Sequence, residues 1–225
     1  MPPPQTRRAL DLFTGQGSIA RYCRTHGFDE VITLDFDPKS KATHTVNILD
    51  WDYKALYPPG YFDLIHGSPC CVMYSCARTT GGPRDIEGAN KLVLKTIEII
   101  QYFKPRRWMI ENSGTGLLKK QPFMFMLPSV FADYCMYSRE GETFHYRKRS
   151  QFWLNNPEVL ANPPLLCNGQ CDGIRAPVEG APPGRRTHAD SFGGQRGGKR
   201  FYRVSNLSLS KKHSIPQALL EKLID

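Results

Sequence analysis

Apolar positions along this chain follow two rhythms. Short dense runs, ALDLF, EVITLD, FDLIHG and RWMIEN, read as β-strands, and between them the apolar spacing lengthens toward the helical period. The alternation from Arg8 to about Leu154 is that of a βαβ chain with a mostly parallel sheet. ANKLVLKTIEIIQYF carries the strongest helical spacing, and Lys104-Pro105 just beyond it supplies the stop.

From Asn155 to Lys199 the pattern breaks down. Pro, Gly and Arg crowd the segment, no periodicity survives, and an irregular lobe or long loop is expected. IPQALLEKLID then restores a helix, started by Pro216 and docking Leu219, Leu220 and Leu223. The reading divides the chain into a core over 1–154, a lobe over 155–200 and a returning C-terminal segment over 201–225. No internal repeat interrupts it.

Composition sharpens this picture. The chain has 225 residues, 40% of them hydrophobic, enough for one sizeable core with a small appended lobe. The formal net charge of +9, from 30 Lys and Arg against 21 Asp and Glu, favours a polyanionic partner, nucleic acid first. Seven unevenly placed cysteines and an N-terminus without a long apolar run point to a reducing, intracellular setting. No apolar run approaches the roughly 20 residues of a membrane span, so a soluble protein is expected.

Candidate chemistry gathers at strand ends. The first strand runs into DLFTGQGSIARYC, where Gly15 and Gly17 make a tight turn into a helix, a layout that admits close approach by a ligand. The second strand ends in Asp35, a carboxylate placed to accept hydrogen bonds from ribose hydroxyls; Asp37 lies two residues on. FDLIHG delivers GSPCCVMYS to the same sheet edge, and a thiol there, near a helix N-terminus and among Arg78 and Arg84, is expected to have a lowered pKa. RWMIEN places Glu111 beside it, a carboxyl suited to hydrogen-bonding a ring while sulfur adds to that ring.

DLFTGQG, GSPCCVMYS, IENSGTG and YRKRSQFW occur in the order seen in DNA cytosine-5 methyltransferases, and the chain resembles that family from about Ala9 to Leu154 and again at its C-terminus. The resemblance implies a Rossmann-like α/β methyltransferase fold with a small irregular inserted lobe. It also implies S-adenosyl-L-methionine as cofactor, DNA as substrate and a monomer. A gapless overlay of the nucleophile loop makes Cys71 the nucleophile; the register that keeps proline directly before it selects Cys70. Glu111 takes the place of the glutamate that holds the cytosine edge, and Arg149 is the candidate for the cytosine carbonyl, with Arg147 and Gln151 at the flanking places of that motif.

On the same basis Phe13, Gly15 and Gly17 line the cofactor pocket, Asp35 binds the ribose and Phe36 flanks the adenine. Asn47 stands where the family usually has an aspartate. Asp11, Ile48, Ser68, Pro69 and Ser214, the last in KKHSIPQAL, complete the set.

The lobe occupies the family's target-recognition position, and its Arg175, Arg185, Arg186, Arg196, Lys199 and Arg200 are candidates for phosphate contacts. It also contains Cys167 and Cys171 in LCNGQCDG and His188 in RRTHADSFGG. These are candidate ligands of a structural zinc ion, with Cys135 or His145 to complete four, against the alternative of unliganded cysteines in a basic loop. Two functional alternatives stay open beside DNA methylation. One is the same chemistry on RNA; the other is a catalytically silent nucleic-acid-binding relative.

Overall fold

A computed structural model describes residues 6–76, 78, 82–138, 148–169, 171 and 214–225, and, in between, the backbone of 175–177, 186–188, 194–196 and 199–201. Seven strands form the central sheet: β1 (Arg8–Leu12), β2 (Glu30–Asp35), β3 (His44–Thr45), β4 (Leu64–Gly67), β5 (Arg107–Ser113), β6 (Ser129–Asp133) and β7 (Arg149–Leu154). They lie in the order β3-β2-β1-β4-β5-β7-β6. β1 to β5 are mutually parallel where they pair, and β7 runs antiparallel to both β5 and β6.

Burial on both faces explains why these strands read as dense apolar runs rather than alternating ones. Leu10, Ile65, Ile110 and Trp153 pack on one side with Val93, Ile99 and Phe103 of α3 (Ile86–Phe103). Their chain neighbours Ala9, Leu64, Met109 and Phe152 pack on the other, with Ile19 and Tyr22 of α1 (Ser18–Thr25). α2 (Tyr53–Leu56) is a single turn, capped by the Asp52 carboxylate on the Ala55 N–H. At Gly67 the sheet and α3 come so close that a Cβ would lie 2.7 Å from Thr96 Cγ2.

The C-terminal helix α5 (Gln217–Ile224) docks as its pattern predicts, burying Leu219, Leu220, Leu223 and Ile224 beside α1. Each such side chain contributes about 1.5–3 kcal/mol relative to exposure. Tyr22 Oη donates to Asp225 Oδ2 at 2.7 Å, and Asn156 Nδ2 donates to Leu223 O at 3.2 Å, so both flanking elements hold this helix.

The lobe differs from its expected irregularity. α4 (Pro157–Ala161), capped by Asn156 on the Glu158 N–H, belongs to the core through Val159. Beyond it, β8 (Arg175–Pro177) pairs antiparallel with β9 (Arg186–His188), and β10 (Gly194–Arg196) with β11 (Lys199–Phe201). Pro and Gly residues throughout the segment hid these three-residue strands from the pattern.

Candidate active site

The strand order turns between β1 and β4, and the C-terminal ends of β1, β2, β4 and β5 open on one edge, where such sheets take their ligands. After β1, Phe13, Gly15 and Gly17 all have positive φ, 61°, 50° and 67°, which curls the backbone into α1. For Phe13, with its side chain, that conformation is strained and has to be held by its surroundings. Thr14 supplies the hold: its N–H donates to Leu34 O at 3.1 Å and its hydroxyl to Asp11 Oδ2 at 2.6 Å. His66 Nδ1 meets the other oxygen of the buried Asp11 at 2.8 Å, tying the turn to β4.

Asp35 caps the same turn from β2. Its Oδ2 accepts the Gly15 N–H at 2.8 Å and its Oδ1 the Asp37 N–H at 2.9 Å, which fixes a buried carboxylate at the sheet edge. Phe36 beside it is 75% exposed, a ring standing free at the rim. Asn47 is exposed with its Oδ1 on the Leu49 N–H at 3.1 Å, while Ile48 is buried. Ser214 is half-buried, next to the core residue Ile215. This donor and acceptor set could hold a nucleoside-bearing ligand: a glycine turn for close approach, an anchored acid for hydroxyls and an open aromatic for a base.

The loop after β4 is fastened to β5, to the segment beyond it and to α3. Asn112 Nδ2 donates to Pro69 O at 3.0 Å, the Leu117 N–H to Tyr74 O at 2.9 Å, and the buried Tyr74 hydroxyl to Asn90 Oδ1 at 2.7 Å. Between these anchors Cys70 is exposed and Cys71 half-buried. Glu111, at the end of β5, is held by Ser68 Oγ on Oε2 at 3.0 Å, by Ser150 Oγ on Oε1, and by Lys148 Nζ at 3.9 Å from Oε1.

The electrostatics of this group correct one expectation. The Cys71 thiol is pushed up rather than down, by burial first and then by the Glu111 carboxylate, with Lys148 opposing. Among the described residues no helix starts at this loop, the next being α3 at Ile86, and Arg84 spends its guanidinium on Met73 O at 2.7 Å and Arg78 O at 3.3 Å. Burial pushes Glu111 upward, but Lys148, the two serine hydroxyls and His66 outweigh it, and the carboxyl ends below its ordinary range. At rest the pair is therefore a neutral thiol beside an ionised carboxylate.

The pairing of β7 sorts the residues of the RKRSQ motif by face. Ser113 pairs with Ser150 and Glu111 with Phe152, so even-numbered β7 residues share a face with Glu111. Arg149 takes the opposite face, where Nε and Nη2 grip Asp133 Oδ1 and Oδ2 at 2.9 and 2.6 Å. Gln151 shares that face, with Nε2 on Ser129 Oγ at 2.9 Å. The motif RKRSQ therefore brings Lys148 and Ser150 to Glu111, and Arg147 lies outside the described residues. Strand parity is the signal that separates the two readings, and it becomes legible once Ser113 is paired with Ser150.

Of the suggested metal ligands, Cys167 and Cys171 do converge, and Cys135 joins them; all three sulfurs lie within 4.8 Å of one another. His145 and the side chain of His188 lie outside the described residues.

Residues 7–123 match the family model of the C-5 cytosine-specific DNA methylase. Over 97% of this chain and 99% of its own length, a Frog virus 3 (isolate Goorha) protein named "Probable DNA (cytosine-5)-methyltransferase" is 30% identical. The type II methyltransferase M.AgeI of Thalassovita gelatinovora is 28% identical over 74% of this chain, which spans 44% of that relative's length. A solved E. coli structure titled "putative DNA modification methyltransferase encoded within prophage" aligns with a TM-score of 0.48 at 16% identity, over 66% of this chain and 46% of that one. Among the described residues, no helix is long and apolar enough to cross a membrane.

Proposed function

Because the chain belongs to the C-5 cytosine-specific DNA methylase family, we propose that it methylates cytosine C5 in DNA from S-adenosyl-L-methionine through a covalent adduct of Cys71. The observation that carries this reading is the buried Glu111 carboxylate, fixed by Ser68, Ser150 and Lys148 and close enough to Cys71 to push its thiol up. Cys70, its neighbour, is exposed.

The target base has to leave its stack to meet this pair, at a cost of a few kcal/mol. As it enters, the Cys71 sulfur bonds to ring carbon C6 and gives up its proton, which the ionised Glu111 takes and shares with ring N3. Negative charge that would build on the ring is thereby neutralised, and C5 becomes the nucleophilic carbon of an enamine. The bound sulfonium supplies the electrophilic methyl group. Solvent water then takes the C5 proton as the C6–S bond breaks, N3 gives its proton back through Glu111 to the departing sulfur, and the Cys71 thiol is restored beside 5-methylcytosine and S-adenosylhomocysteine. Lys148 keeps Glu111 ionised before the base arrives and limits the rise of the Cys71 pKa.

For the methyl donor, Asp35 offers its remaining lone pairs to the ribose hydroxyls, Phe36 its ring to the adenine and Asn47 its amide to the adenine edge. Gly15 and Gly17 leave room for the donor's amino-acid end, beside Phe13, Ile48, Ser68 and Pro69, and Ser214 closes the far side. Asp11 acts one step back, through Thr14 and His66. Arg175, Arg186, Arg196, Lys199 and Arg200 ride on the paired strands of the lobe and meet phosphates there.

The test is product analysis. Full-length protein, methyl-labelled S-adenosylmethionine and duplex DNA are incubated, the DNA is digested, and nucleosides are separated by mass. Label in 5-methyl-2′-deoxycytidine supports the proposal; label on the exocyclic nitrogen, or on matched RNA alone, overturns it.

A further inference from the structure

On the face of β7 opposite Glu111, three thiols from two separate segments meet. Cys135 lies in the helical turn that follows β6, whereas Cys167 and Cys171 flank a turn beyond α4. We propose that Cys135, Cys167 and Cys171 are three thiolate ligands of a zinc ion that fastens the base of the lobe to the end of β6.

The spacing suits that ion. Zinc–sulfur bonds of about 2.3 Å in a tetrahedral site place sulfurs about 3.8 Å apart. Cys167 Sγ and Cys171 Sγ stand 3.6 Å apart, and the trio fits within 4.8 Å. Cys135 is buried and the other two half-buried, so the cluster is anchored inside yet reachable from solvent. The fourth position of the tetrahedron falls to a group outside this trio.

The surroundings are organised as the outer contacts of a thiolate site should be. Gly169, whose φ of 98° lets the chain turn back between the two lobe cysteines, gives its N–H to Cys167 Sγ at 3.3 Å. The Cys167 N–H donates to Asp133 Oδ2 at 2.9 Å, and Asp133 is in turn held by Arg149. Arg149 thus positions a ligand-bearing loop and also brings a positive charge to a site that three thiolates make anionic. Soft thiolate sets select zinc over hard cations, and binding releases the thiol protons.

The site is independent of the methyl-transfer reading and is tested without activity. Full-length protein is reduced, loaded with zinc, passed over a sizing column in a weak competing chelator and assayed for metal by mass spectrometry. One zinc per chain is expected in wild type and in Cys23→Ser and Cys70→Ser, and near none in Cys135→Ser, Cys167→Ser or Cys171→Ser. Should those three variants fold poorly, the wild type still decides. Zinc should slow alkylation of Cys167 and Cys171 at least tenfold, read peptide by peptide, with Cys70 unaffected, and cobalt should give a thiolate charge-transfer band. A wild type that retains no zinc and whose Cys167 and Cys171 alkylate equally fast with and without it overturns the proposal.

Discussion

Arg149 holds the fully buried carboxylate of Asp133 in a two-pronged grip, Nε to Oδ1 at 2.9 Å and Nη2 to Oδ2 at 2.6 Å, on the face of β7 turned away from Glu111. An arginine that the family resemblance assigns to the substrate's carbonyl is thereby committed to the sheet and to the loop that carries Cys167.

Removing it should act on stability first. Arg149→Ala leaves Asp133 buried without its cation, a loss of about 3 kcal/mol, whereas Arg149→Lys keeps the charge and loses the fork. Thermal melts should rank wild type above Lys above Ala. Binding of S-adenosylmethionine by the folded fraction, measured by calorimetry, should stay within about twofold of wild type, a shift of about 0.4 kcal/mol. An Ala variant that melts like wild type yet fails to methylate would return Arg149 to the substrate.

In the proposed mechanism, Lys148 and Glu111 set the acid limb of the reaction. The folded-state pKa of Glu111 is depressed, so the stability of its ionised form is present above the ordinary carboxylate range and is lost as pH falls through the lower, folded value. Lys148→Met removes the largest of the influences that lower it. The carboxyl then protonates at higher pH, and the acid limb of kcat/KM should move upward. Glu111→Gln, which cannot take a proton at all, should cost about 10²- to 10⁴-fold in methyl transfer. An acid limb that stays in place in Lys148→Met would separate Lys148 from the chemistry.

Asp35 is the acid whose removal should be felt by the cofactor rather than by DNA. Asp35→Ala deletes both the acceptor for ribose hydroxyls and the clasp on Gly15 and Asp37. Hydrogen bonds to a charged partner contribute about 1.5–3 kcal/mol, so S-adenosylmethionine should bind roughly 10- to 100-fold more weakly by calorimetry. Equal DNA affinity in a gel-shift assay is expected alongside; an unchanged cofactor Kd would remove Asp35 from the pocket.

How much of this could be read from the chain depends on what each element buries. β1, β2, β4 and β5 are visible because both faces are covered, so their residues stay apolar without alternation, as in LIHG, all of it buried. α3 and α5 are visible through their spacing and their ends. β3, two residues long, and β6, between Pro128 and a helical turn, leave too little pattern to register. α4 was hidden by its surroundings, since NPEVLANPP reads as punctuation until Val159 is seen in the core.

The site divides in the same way. Gly15, Gly17, Asp35, Cys71 and Glu111 stand at strand ends, where residue type alone signals chemistry. Lys148 and Ser150 do not, because in RKRSQ a one-residue change of strand parity exchanges every side chain between faces. The raised Cys71 thiol was likewise illegible: sequence shows the nearby arginines but not that Arg84 is spent on carbonyl oxygens. Cys135, one of two residues offered by the sequence to complete the Cys167 and Cys171 pair, reaches it where the loop beyond α4 bonds to Asp133, through Asp133 N–H to Leu165 O and Cys167 N–H to Asp133 Oδ2.

The most direct test is covalent trapping on DNA containing 5-fluorocytosine. Fluorine at C5 blocks the final elimination, so a nucleophile that has added to C6 stays attached. Wild type, Cys70→Ser and Cys71→Ser are each incubated with S-adenosylmethionine and this DNA, then run under denaturing conditions. A protein–DNA band in wild type and Cys70→Ser that vanishes in Cys71→Ser is the predicted result. A band that survives in Cys71→Ser and is lost in Cys70→Ser, or none in wild type, would contradict the assignment of Cys71 as nucleophile.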